Sequence, residues 1–529
     1  MKGIFLFCAA ILFSGLSIGQ VSLLDVNNIF MNARVNGDIG LEYDLNGDLV
    51  VESQAPAGSG TTFLFTSSLW MGGIEGVSSL HLAANTYSQS GADFWFGPVA
   101  TSYDANYDNR YDRTWIITNS QIENHITNYG EPFYSIPEVI EEWPANGDTS
   151  NGESSDLAPY KDLNHNGVYE PMLGDHPLIR GDKAVYVIFN DDRLPHTSSL
   201  GNKIGVEVHL MMYAYESPNT NLDNTIFLNY KLVNRGAFDL NNFRVGQWVD
   251  WDLGNSNDDY VGCDVDRNLS YVYNGDLDDE GATGYGTNPP AAGLVLLNGG
   301  LDAHISHGNG SDPYTGFPSL TSGYYNYLSG KFLNGTDYIV NDSITTYMFP
   351  GTTDPTFPLL NLDENYFNNF QGDRRTLHSR NYGNFDTGYS LCLDYAMVFA
   401  YDSTNTNLQN LTFLQERVDS VQEFYNEHYE GCPDYIADIG NLDLDEVTNK
   451  NGVEYYFDNM ANQWHISYTG EMNIDAKVVV SNIQGQIVES INWNAHQECI
   501  LSKGVKTSGT YFVSLMLKDE SISFPVLFK

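Results

Sequence analysis

The feature that most constrains the fold is a series of short β-rich runs separated by Gly, Asn and Pro. In the middle of the chain these runs cover residues 183–189, 204–215, 225–233 and 243–249. Runs of this kind, rich in Val, Ile, Tyr and Phe and closed by turn residues, are typical of antiparallel strands. The sequence therefore predicts an all-β fold of one or two β-sandwich domains with long loops.

A change in hydrophobic period marks one late helix. Leu411, Leu414, Val418, Val421 and Tyr425 follow helical spacing, with polar residues between them. We predict an amphipathic helix near 410–429 that packs on the strands and closes the main domain.

Composition divides the rest of the chain into regions. Residues 21–150 are polar and Gly-rich and form either one edge of a β-sandwich or a separate small β domain. Residues 151–180 are expected to connect this region to a central β-sandwich over 181–432. An acidic linker at 433–451 then leads to a small C-terminal β-sandwich at 452–529.

The N-terminus has the pattern of a secretory signal peptide. Lys2 precedes an apolar run over residues 4–12, and small residues follow up to Gly19. This run is too short to be a permanent membrane anchor, so we predict a signal peptide over 1–20. No other apolar run reaches transmembrane length, and the mature protein is expected to have no transmembrane span.

Export would place the remaining cysteines in an oxidising compartment, where disulfides are permitted. Four cysteines allow three pairings, and the sequence does not choose among them or exclude buried free thiols. They are Cys263, Cys392, Cys432 and Cys499.

Charge limits the class of partner. The chain has 24 basic and 68 acidic residues, a net charge of −44. A chain this acidic repels phosphate backbones and anionic lipid surfaces, so nucleic acid is not an expected partner. Hard cations are favoured, and an aromatic content of 13% argues against a disordered acidic chain.

The segment 162–170 predicts a calcium loop. Oxygen side chains alternate along it, and Gly167 stands where a sharp turn is needed. Leu173 replaces the bidentate Glu of a helix-loop-helix sensor, so the loop resembles the shortened calcium loops of extracellular repeats. The alternative is an Asn-Gly turn without an ion. The predicted ligands are Asp162, Asn164, Asn166, the Val168 carbonyl and Glu170, with Asp175 able to complete the shell.

A second acidic cluster lies between residues 250 and 266. Six aspartates this close together require a counter-charge, water or protonation, and a hard cation is the simplest solution. The alternative is a solvated acidic loop. The predicted ligands are Asp250, Asp252, Asp258, Asp259 and Asp264.

Three further patterns are less specific. Alternation places Glu207 and His209 on one strand face, as a solvated or hydrogen-bonded pair rather than a catalytic dyad. Residues 180–182 spell Arg-Gly-Asp, which a turn explains without a receptor. The Tyr-bearing loops of residues 281–384 suggest a glycan-binding surface, although packing explains tyrosines equally well. The tyrosines concerned are Tyr324, Tyr325 and Tyr327.

The C-terminal segment contains strand-like runs at 478–480, 487–488, 509–515 and 524–528, separated by Gly and polar turns. This combination resembles the C-terminal sorting domain of type IX secretion cargo in Bacteroidota. The chain departs from that family at 457–462, where an expected Asn-Pro pair is absent. The resemblance implies recognition by the type IX translocon and sortase, and delivery to the outer cell surface or the medium.

Residues 162–276 also resemble uncharacterised secreted proteins of the same bacterial group, a likeness that implies export and a β fold but no activity. Two function classes remain for the cargo. One is a calcium-stabilised β-sandwich that binds glycan or builds the envelope. The other is a secreted hydrolase acting on polysaccharide or protein, with carboxylates from 250–259. The chain has no zinc-helix, Gly-x-Ser-x-Gly or Cys/His protease motif, which favours the non-enzymatic class.

Overall fold

The chain folds into two units in the computed structural model, one up to residue 437 and one from residue 438. The predicted signal peptide, most of the predicted linker and Cys432 lie outside the described residues. The structure describes residues 23–40, 42–43, 49–51, 53–87, 91–217, 220–340, 342–351, 371–429, 448–450, 453–458, 463–468, 475–482, 486–494, 499–502, 509–516 and 521–528.

The first part of the first unit combines short strands with three helices. The helices are α1 Ala105–Tyr111, α2 Asn119–Asn128 and α3 Glu138–Glu141. The strands are β1 Leu23–Leu24, β2 Met31–Asn32, β3 Glu42–Tyr43, β4 Leu49–Val51, β5 Ser53–Gln54, β6 Thr62–Leu64, β7 Thr66–Glu75, β8 Ser79–Ala84, β9 Trp95–Phe96, β10 Trp115–Thr118, β11 Tyr160–Lys161, β12 His176–Pro177 and β13 Lys183–Asn190.

Longer strands follow. The helices of this part are α4 Thr321–Leu328 and α5 Asn407–His428. The strands are β14 Val206–Ala214, β15 Thr225–Asn234, β16 Leu240–Trp251, β17 Asp259–Asp264, β18 Leu269–Asn274, β19 Asp278–Asp279, β20 Gly286–Thr287, β21 Ala291–Leu296, β22 Ala303–His307, β23 Tyr338–Val340, β24 Ser343–Thr345, β25 Arg374–Phe385 and β26 Ser390–Ala400.

Two antiparallel sheets organise the first unit. The nine-stranded sheet has the order β10-β13-β14-β15-β26-β21-β18-β17, with β9 also paired to β13. The five-stranded sheet has the order β22-β25-β16-β7-β8. Strands from 21–150 belong to both sheets, so this region shares sheets with the predicted central domain. The predicted all-β class is confirmed.

The nine-stranded sheet is buried on both faces. Along β13, Val185, Val187 and Phe189 belong to the core shared with the five-stranded sheet, while Tyr186 and Ile188 belong to a second core. Side chains of a strand alternate between the two faces of the sheet, so a strand between two cores needs apolar residues at both odd and even positions. This explains why the sequence shows continuous apolar runs here instead of strict alternation.

Helix α5 covers the second core. It begins after a capping box in which the Thr406 hydroxyl accepts from the Gln409 N–H and the Gln409 side chain accepts from the Thr406 N–H. Its buried face contains the five apolar residues whose spacing predicted it, and all five belong to the second core. The helix predicted near 410–429 is therefore present, three residues longer at its start.

The outer face of the five-stranded sheet is covered in part by α4. Trp70 of β7 meets Tyr324 of α4 with ring centroids 4.9 Å apart, and the Ser379 hydroxyl of β25 donates to the Leu328 carbonyl. Beyond the end of α4, the same face carries charged side chains. This uncovered part of the sheet is where the candidate site lies.

The second unit contains eight described strands in two antiparallel sheets, of orders β27-β28-β29-β32 and β31-β30-β33-β34. Its predicted runs fall within β30, β31, β33 and β34. The strands are β27 Thr448–Lys450, β28 Val453–Asp458, β29 Gln463–Tyr468, β30 Asp475–Asn482, β31 Ile487–Asn494, β32 Cys499–Ser502, β33 Gly509–Met516 and β34 Ser521–Phe528.

The structure also contains four short helices, α1 to α4, that the sequence did not predict. Asp104 caps α1, and Thr118 caps α2 through a capping box with Gln121. These helices are too short for a hydrophobic period to stand out. Among the helices of the described residues, none is long and apolar enough to cross a membrane.

Candidate functional site

The candidate site lies on three neighbouring strands of the five-stranded sheet. Asp250 of β16 is the register partner of Arg375 of β25, and Arg375 is in turn the partner of His307 of β22. Residues directly opposite each other in an antiparallel pair point to the same face. The fold therefore aligns an acidic, a basic and an imidazole side chain across the sheet.

Arg375 is the centre of a buried polar cluster. Its Nε donates to the Tyr87 hydroxyl at 2.8 Å and its Nη2 donates to Asp250 Oδ2 at 3.0 Å. The Nη1 atom lies 2.8 Å from Asp373 Oδ1. The Tyr87 hydroxyl donates to Asp250 Oδ2 at 2.7 Å, so one carboxylate oxygen receives both donors. Arg375 therefore fixes the positions of two carboxylates and a phenol.

Burial sets the electrostatics of Asp250. The residue is 1% exposed, and desolvation raises the pKa of its carboxyl to about 7, although Arg375 and the Tyr87 hydroxyl act in the opposite direction. Burial, followed by the charge of Asp250, also raises the pKa of Tyr87. Near neutral pH Asp250 therefore exchanges a proton readily, while Tyr87 keeps its own.

Three aspartates converge at this cluster. One carboxylate oxygen from each of Asp250, Asp252 and Asp373 lies within 4.8 Å of the others. Asp250 is buried, Asp252 is half-buried and the Asp373 side chain is 42% exposed. The Asp250 Oδ1 atom is buried and has no hydrogen-bond partner among the described residues. Oxygen ligands at this spacing can hold a hard divalent cation.

The three aspartates open into a cleft of about 320 Å³. Its other lining residues are two aromatic side chains, Phe65 and Tyr87, and the polar Ser256 and Asn309, together with Arg375. Sites for small ligands typically have volumes of about 300–1,000 Å³, and this cleft lies at the low end of that range. The site is therefore an acidic cleft with aromatic and hydrogen-bonding walls.

His307 lies behind the cleft and is fixed in one tautomer. The Trp248 indole, which can only donate, contacts His307 Nε2 at 2.9 Å, so this nitrogen accepts. Nδ1 then carries the proton and donates to the Gly308 carbonyl at 3.1 Å. Burial, followed by the charge of Arg375, lowers the pKa of His307 to about 3. His307 is thus neutral and supports the Trp248 ring.

The other predicted ligands of the 250–266 cluster do not belong to this group of three converging aspartates. They are Asp258, Asp259 and Asp264. Asp258 and Asp259 are buried, and Asp259 Oδ2 accepts from the Leu253 N–H at 3.1 Å. Asp264 accepts from Arg267 Nη1 at 2.9 Å and from the Gln415 side chain of α5. The structure brings Asp250 and Asp252 together, as predicted, and places Asp264 in a contact between β17 and α5.

Asp373, Arg375 and Tyr87 were not predicted as site residues. Arg375 is separated from Asp250 by 125 positions, and Tyr87 from Asp250 by 163. The pairing of β16 with β25 brings Asp373 and Arg375 to Asp250, and Tyr87 reaches it from the end of β8 through the pairing of β8 with β7 and of β7 with β16. No local pattern encodes these pairings. A buried Arg flanked by acidic residues, Asp373 and Asp250, is recognisable only once the sheet order is known.

The predicted calcium loop is tightly hydrogen-bonded. Asp162 Oδ1 accepts from the N–H groups of Asn164 and His165 at 3.2 and 2.7 Å, and its Oδ2 accepts from the Gly167 N–H at 2.7 Å. The side-chain oxygens of Asn164 and Asn166 each accept the N–H two residues later, of Asn166 and Val168 respectively. Gly167 adopts φ +76°, which a side chain would disfavour.

Two acidic residues close this loop. Glu170 accepts from the side-chain amides of Asn164 and Asn166 at 3.1 and 2.6 Å. Asp175, which is fully buried, accepts from the N–H groups of Leu163 and Glu170 at 2.9 and 2.8 Å. Hydrogen bonds thus link the predicted oxygen side chains and Asp175 along the loop, but among the described residues Asp162, Glu170 and Asp175 do not form a group of converging carboxylate oxygens.

The less specific patterns are explained by packing. Glu207 is buried and accepts from His209 Nε2 at 3.1 Å and Arg235 Nη2 at 3.0 Å, so it belongs to a hydrogen-bonded pair. Arg180 of the Arg-Gly-Asp sequence is 7% exposed and pairs with Asp394 at 3.0 Å, out of reach of a receptor. Tyr324 and Tyr327 are buried under the sheet face, and the Tyr325 hydroxyl donates to the Asn242 carbonyl.

The described cysteines differ in their bonding. Cys263 and Cys499 are buried and belong to no disulfide. Cys392 is disulfide-bonded. None of the three pairings that use all four cysteines is therefore formed.

Comparison with known proteins adds little. No protein-family model matches the chain, and no curated protein matches it. A solved structure described as a polysaccharide lyase aligns with 70% of this chain and 39% of its own length, at 9% identity and a TM-score of 0.19. The chain thus spans well under half of that structure. A superposition this loose carries no argument about fold or activity.

Proposed function

We propose that the chain is an exported cell-surface or secreted protein whose first unit is a calcium-dependent binding or envelope protein. Support for export is the resemblance of residues 452–529 to the type IX sorting domain. The observation that carries the binding role is the convergence of Asp250, Asp252 and Asp373 in an open cleft. Ca²⁺ is the cation that best suits an exported chain with carboxylate ligands.

Charge supports a cation in the cleft. The lining contains three aspartates and one arginine, so its formal charge is −2 once Asp250, whose pKa is raised to about 7, has lost its proton (three negative, one positive). A divalent cation neutralises this charge, whereas Arg375 alone balances only one carboxylate. Asp250 Oδ1, buried and without a hydrogen-bond partner among the described residues, supplies a ligand oxygen whose burial otherwise costs stability.

A second Ca²⁺ is proposed in the loop 162–175. What supports it is the sequence pattern, together with side-chain turns in which the oxygens of Asp162, Asn164 and Asn166 each accept the N–H two residues later. With Glu170 and Asp175 these residues resemble the shortened calcium loops of extracellular repeats. The role of this ion is to stabilise the loop, since it has no cleft beside it among the described residues.

The test is a thermal melt of the mature protein in CaCl₂ and in EDTA, with Tb³⁺ luminescence to count sites. We expect Ca²⁺ to raise the melting temperature and two sites to be filled. Asp252→Asn should remove one site and Asp162→Asn the other. Asp278→Asn, in an exposed acidic position, is the matched control and should keep both. Equal melting temperatures with and without Ca²⁺ would exclude both sites.

Export has its own test. Cells of the natural host carrying the full chain should display it at the outer surface or release it. A chain ending at residue 451 should remain in the periplasm, because the translocon and sortase would no longer recognise it. Surface display of the truncated chain would refute type IX export, independently of cation binding.

A secreted hydrolase is the second candidate, and one observation favours it. Asp250, with a pKa raised to about 7, lies beside Asp252 in the open cleft, an arrangement that suits a proton donor next to a second carboxyl group. Release of reducing ends from a polysaccharide panel, and of peptides from casein, tests this candidate. Activity that Asp250→Asn and Asp252→Asn both abolish would support it, and inactivity on all substrates would leave the binding role.

A further inference from the structure

The cleft leaves part of a bound cation exposed. Asp250 Oδ2 already accepts hydrogen bonds from Tyr87 and Arg375. Both carboxylate oxygens of Asp373 contact the Arg375 guanidinium. If each aspartate gives the ion one oxygen, about three to five of the 6–8 positions of Ca²⁺ remain for oxygens from outside the protein.

The walls of the cleft suit a ligand with an apolar face. The rings of Phe65 and Tyr87 lie with centroids 6.1 Å apart, and Phe317 stacks near Tyr87 at 6.4 Å. Phe65 and Tyr87 are half-buried, so parts of both rings face the cleft. Ser256 and Asn309 add hydrogen-bonding groups to the lining. Aromatic faces beside hydroxyl and amide groups match a ring that carries C–H bonds on its faces and hydroxyls on its edge.

We propose that the Ca²⁺ in this cleft bridges the protein to vicinal hydroxyl groups of a neutral sugar, which stacks on Phe65. This inference rests on the proposed Ca²⁺ binding at the three aspartates. Besides the acidic residues, it is supported by the buried Asp250 Oδ1, which has no hydrogen-bond partner among the described residues, and by the aromatic walls. It moves the glycan-binding surface from the buried tyrosines of α4 to the outer end of the five-stranded sheet.

The charge of the site and of the chain selects a neutral ligand. With Ca²⁺ bound, the lining has no net charge, so it offers no strong attraction to an anion. The whole chain has a net charge of −44 and repels polyanions such as uronate polymers or nucleic acids at low ionic strength. Neutral hydroxyl groups do not meet this repulsion, and they coordinate Ca²⁺ as oxygen ligands.

The experiment is titration calorimetry of the full chain with a panel of neutral methyl glycosides, in CaCl₂ and in EDTA. We expect a subset of glycosides to bind in CaCl₂ and none in EDTA. Phe65→Ala should weaken sugar binding about three- to tenfold while keeping Ca²⁺ binding, since it removes only ring contact. Asp252→Asn should abolish both. Phe133→Ala removes a fully exposed ring and is the matched control, with no effect on either.

Each other outcome has a defined meaning. Ca²⁺ binding at the cleft without any glycoside binding would overturn this inference and leave the proposed function in place. Glycoside binding that survives EDTA would overturn the bridging role of the cation. Loss of Ca²⁺ binding in Asp162→Asn but not in Asp252→Asn would place the ion in the loop alone and overturn both. Methyl uronides in the same titrations test the charge argument, which tighter binding of uronides than of neutral glycosides would overturn.

Discussion

Arg375 shows how a single residue determines the properties of the cleft. Its guanidinium contacts Asp250, Asp373 and Tyr87 and is 4% exposed as a residue. The planar guanidinium offers five donors in a fixed geometry that can hold two carboxylates, whereas the Lys ammonium is a point charge on a flexible stem. Removing one partner of a buried pair leaves an uncompensated charge and costs more than the pair contributes.

We therefore expect Arg375→Met to lower the free energy of unfolding by about 3–5 kcal/mol in EDTA. Ca²⁺ should restore part of this loss, because the cation replaces the missing positive charge. Urea unfolding with and without Ca²⁺ measures both effects. Arg113→Met is the control, since Arg113 pairs with Glu142 at the surface, with side chains 38% and 45% exposed, and should cost under about 1 kcal/mol. An equal loss in both media would contradict cation binding at the cleft.

The burial of Asp259 is expected to make the free energy of unfolding depend on pH. Burial, followed by the charge of Asp258, raises the pKa of Asp259 well above its usual range, so the folded state keeps a proton that the unfolded chain releases near pH 4. As the pH rises above that point, this group lowers the free energy of unfolding by up to about 1.4 kcal/mol per pH unit. The effect ends once the pH passes the pKa of the folded state.

Asp259→Asn tests this directly. Asn has no proton to release and keeps an oxygen for the Leu253 N–H. Between pH 5 and 8 in EDTA, we expect the variant to gain stability relative to the unaltered protein. Urea unfolding across this range gives the two curves. Parallel curves would show that Asp259 is ionised in the folded protein.

At the level of single residues, the sequence predicted about half of the site. Asp250 and Asp252 were predicted because they are close together at a strand end. Asp373 and Arg375 were not, because strand pairing across more than a hundred residues brings them to Asp250. Asp264 resembles its neighbours in sequence, yet its carboxylate accepts hydrogen bonds from Arg267 and Gln415 instead of joining the site.

At the scale of elements, α5 depends on its capping box. Thr406→Ala removes the acceptor for the Gln409 N–H and should lower the free energy of unfolding by about 0.5–2 kcal/mol. Thr412→Ala on the same helix is the control, because its hydroxyl donates to a carbonyl within the helix, that of Leu408, and does not cap the helix start. Urea unfolding compares the two. A loss in Thr412→Ala as large as in Thr406→Ala would argue against the capping role.

In the loop 162–175, two substitutions at Asp162 separate the effect of its hydrogen bonds from the effect of its charge. Asp162→Ala removes the acceptor for three backbone N–H groups and should destabilise the loop with or without Ca²⁺. Asp162→Asn keeps one acceptor oxygen and loses the charge, so its deficit should appear chiefly in Ca²⁺. Limited proteolysis near residue 165 reports on the loop. Identical cleavage of the two variants in both media would contradict a cation in this loop.

Elements with a long apolar period were predictable, and short capped ones were not. The run predicted at 183–189 is β13, and the helix predicted near 410–429 is α5. Helices α1 to α3 contain at most ten residues in a region that reads as Gly-rich loop, and α1 and α2 begin at the polar caps Asp104 and Thr118. Their burial under the second core, through residues such as Tyr107 and Ile122, is a tertiary effect.

At the scale of the whole molecule, the two units predict separate behaviour. All residues of the cleft and of the loop 162–175 belong to the unit that ends at residue 437. We expect a chain ending at residue 437 to keep the Ca²⁺ affinity of the full chain within about twofold, since no ligand is removed. Calorimetric titration measures this affinity. A loss of binding on truncation would show that the second unit contributes to the site.

The sheet with two cores has a consequence for mutational tolerance. A strand that faces solvent on one side accepts polar substitutions at every second position. In β13 and β14 neither the odd nor the even positions face solvent, because each face of these strands packs in one of the two cores. A saturation mutagenesis scan of these strands should thus show that polar substitutions are not tolerated at any position, without the alternation expected of a half-exposed strand. Variation that survives selection should instead concentrate in the loops around the cleft, so the ligand preference of this scaffold is free to diversify while its central sheet is not.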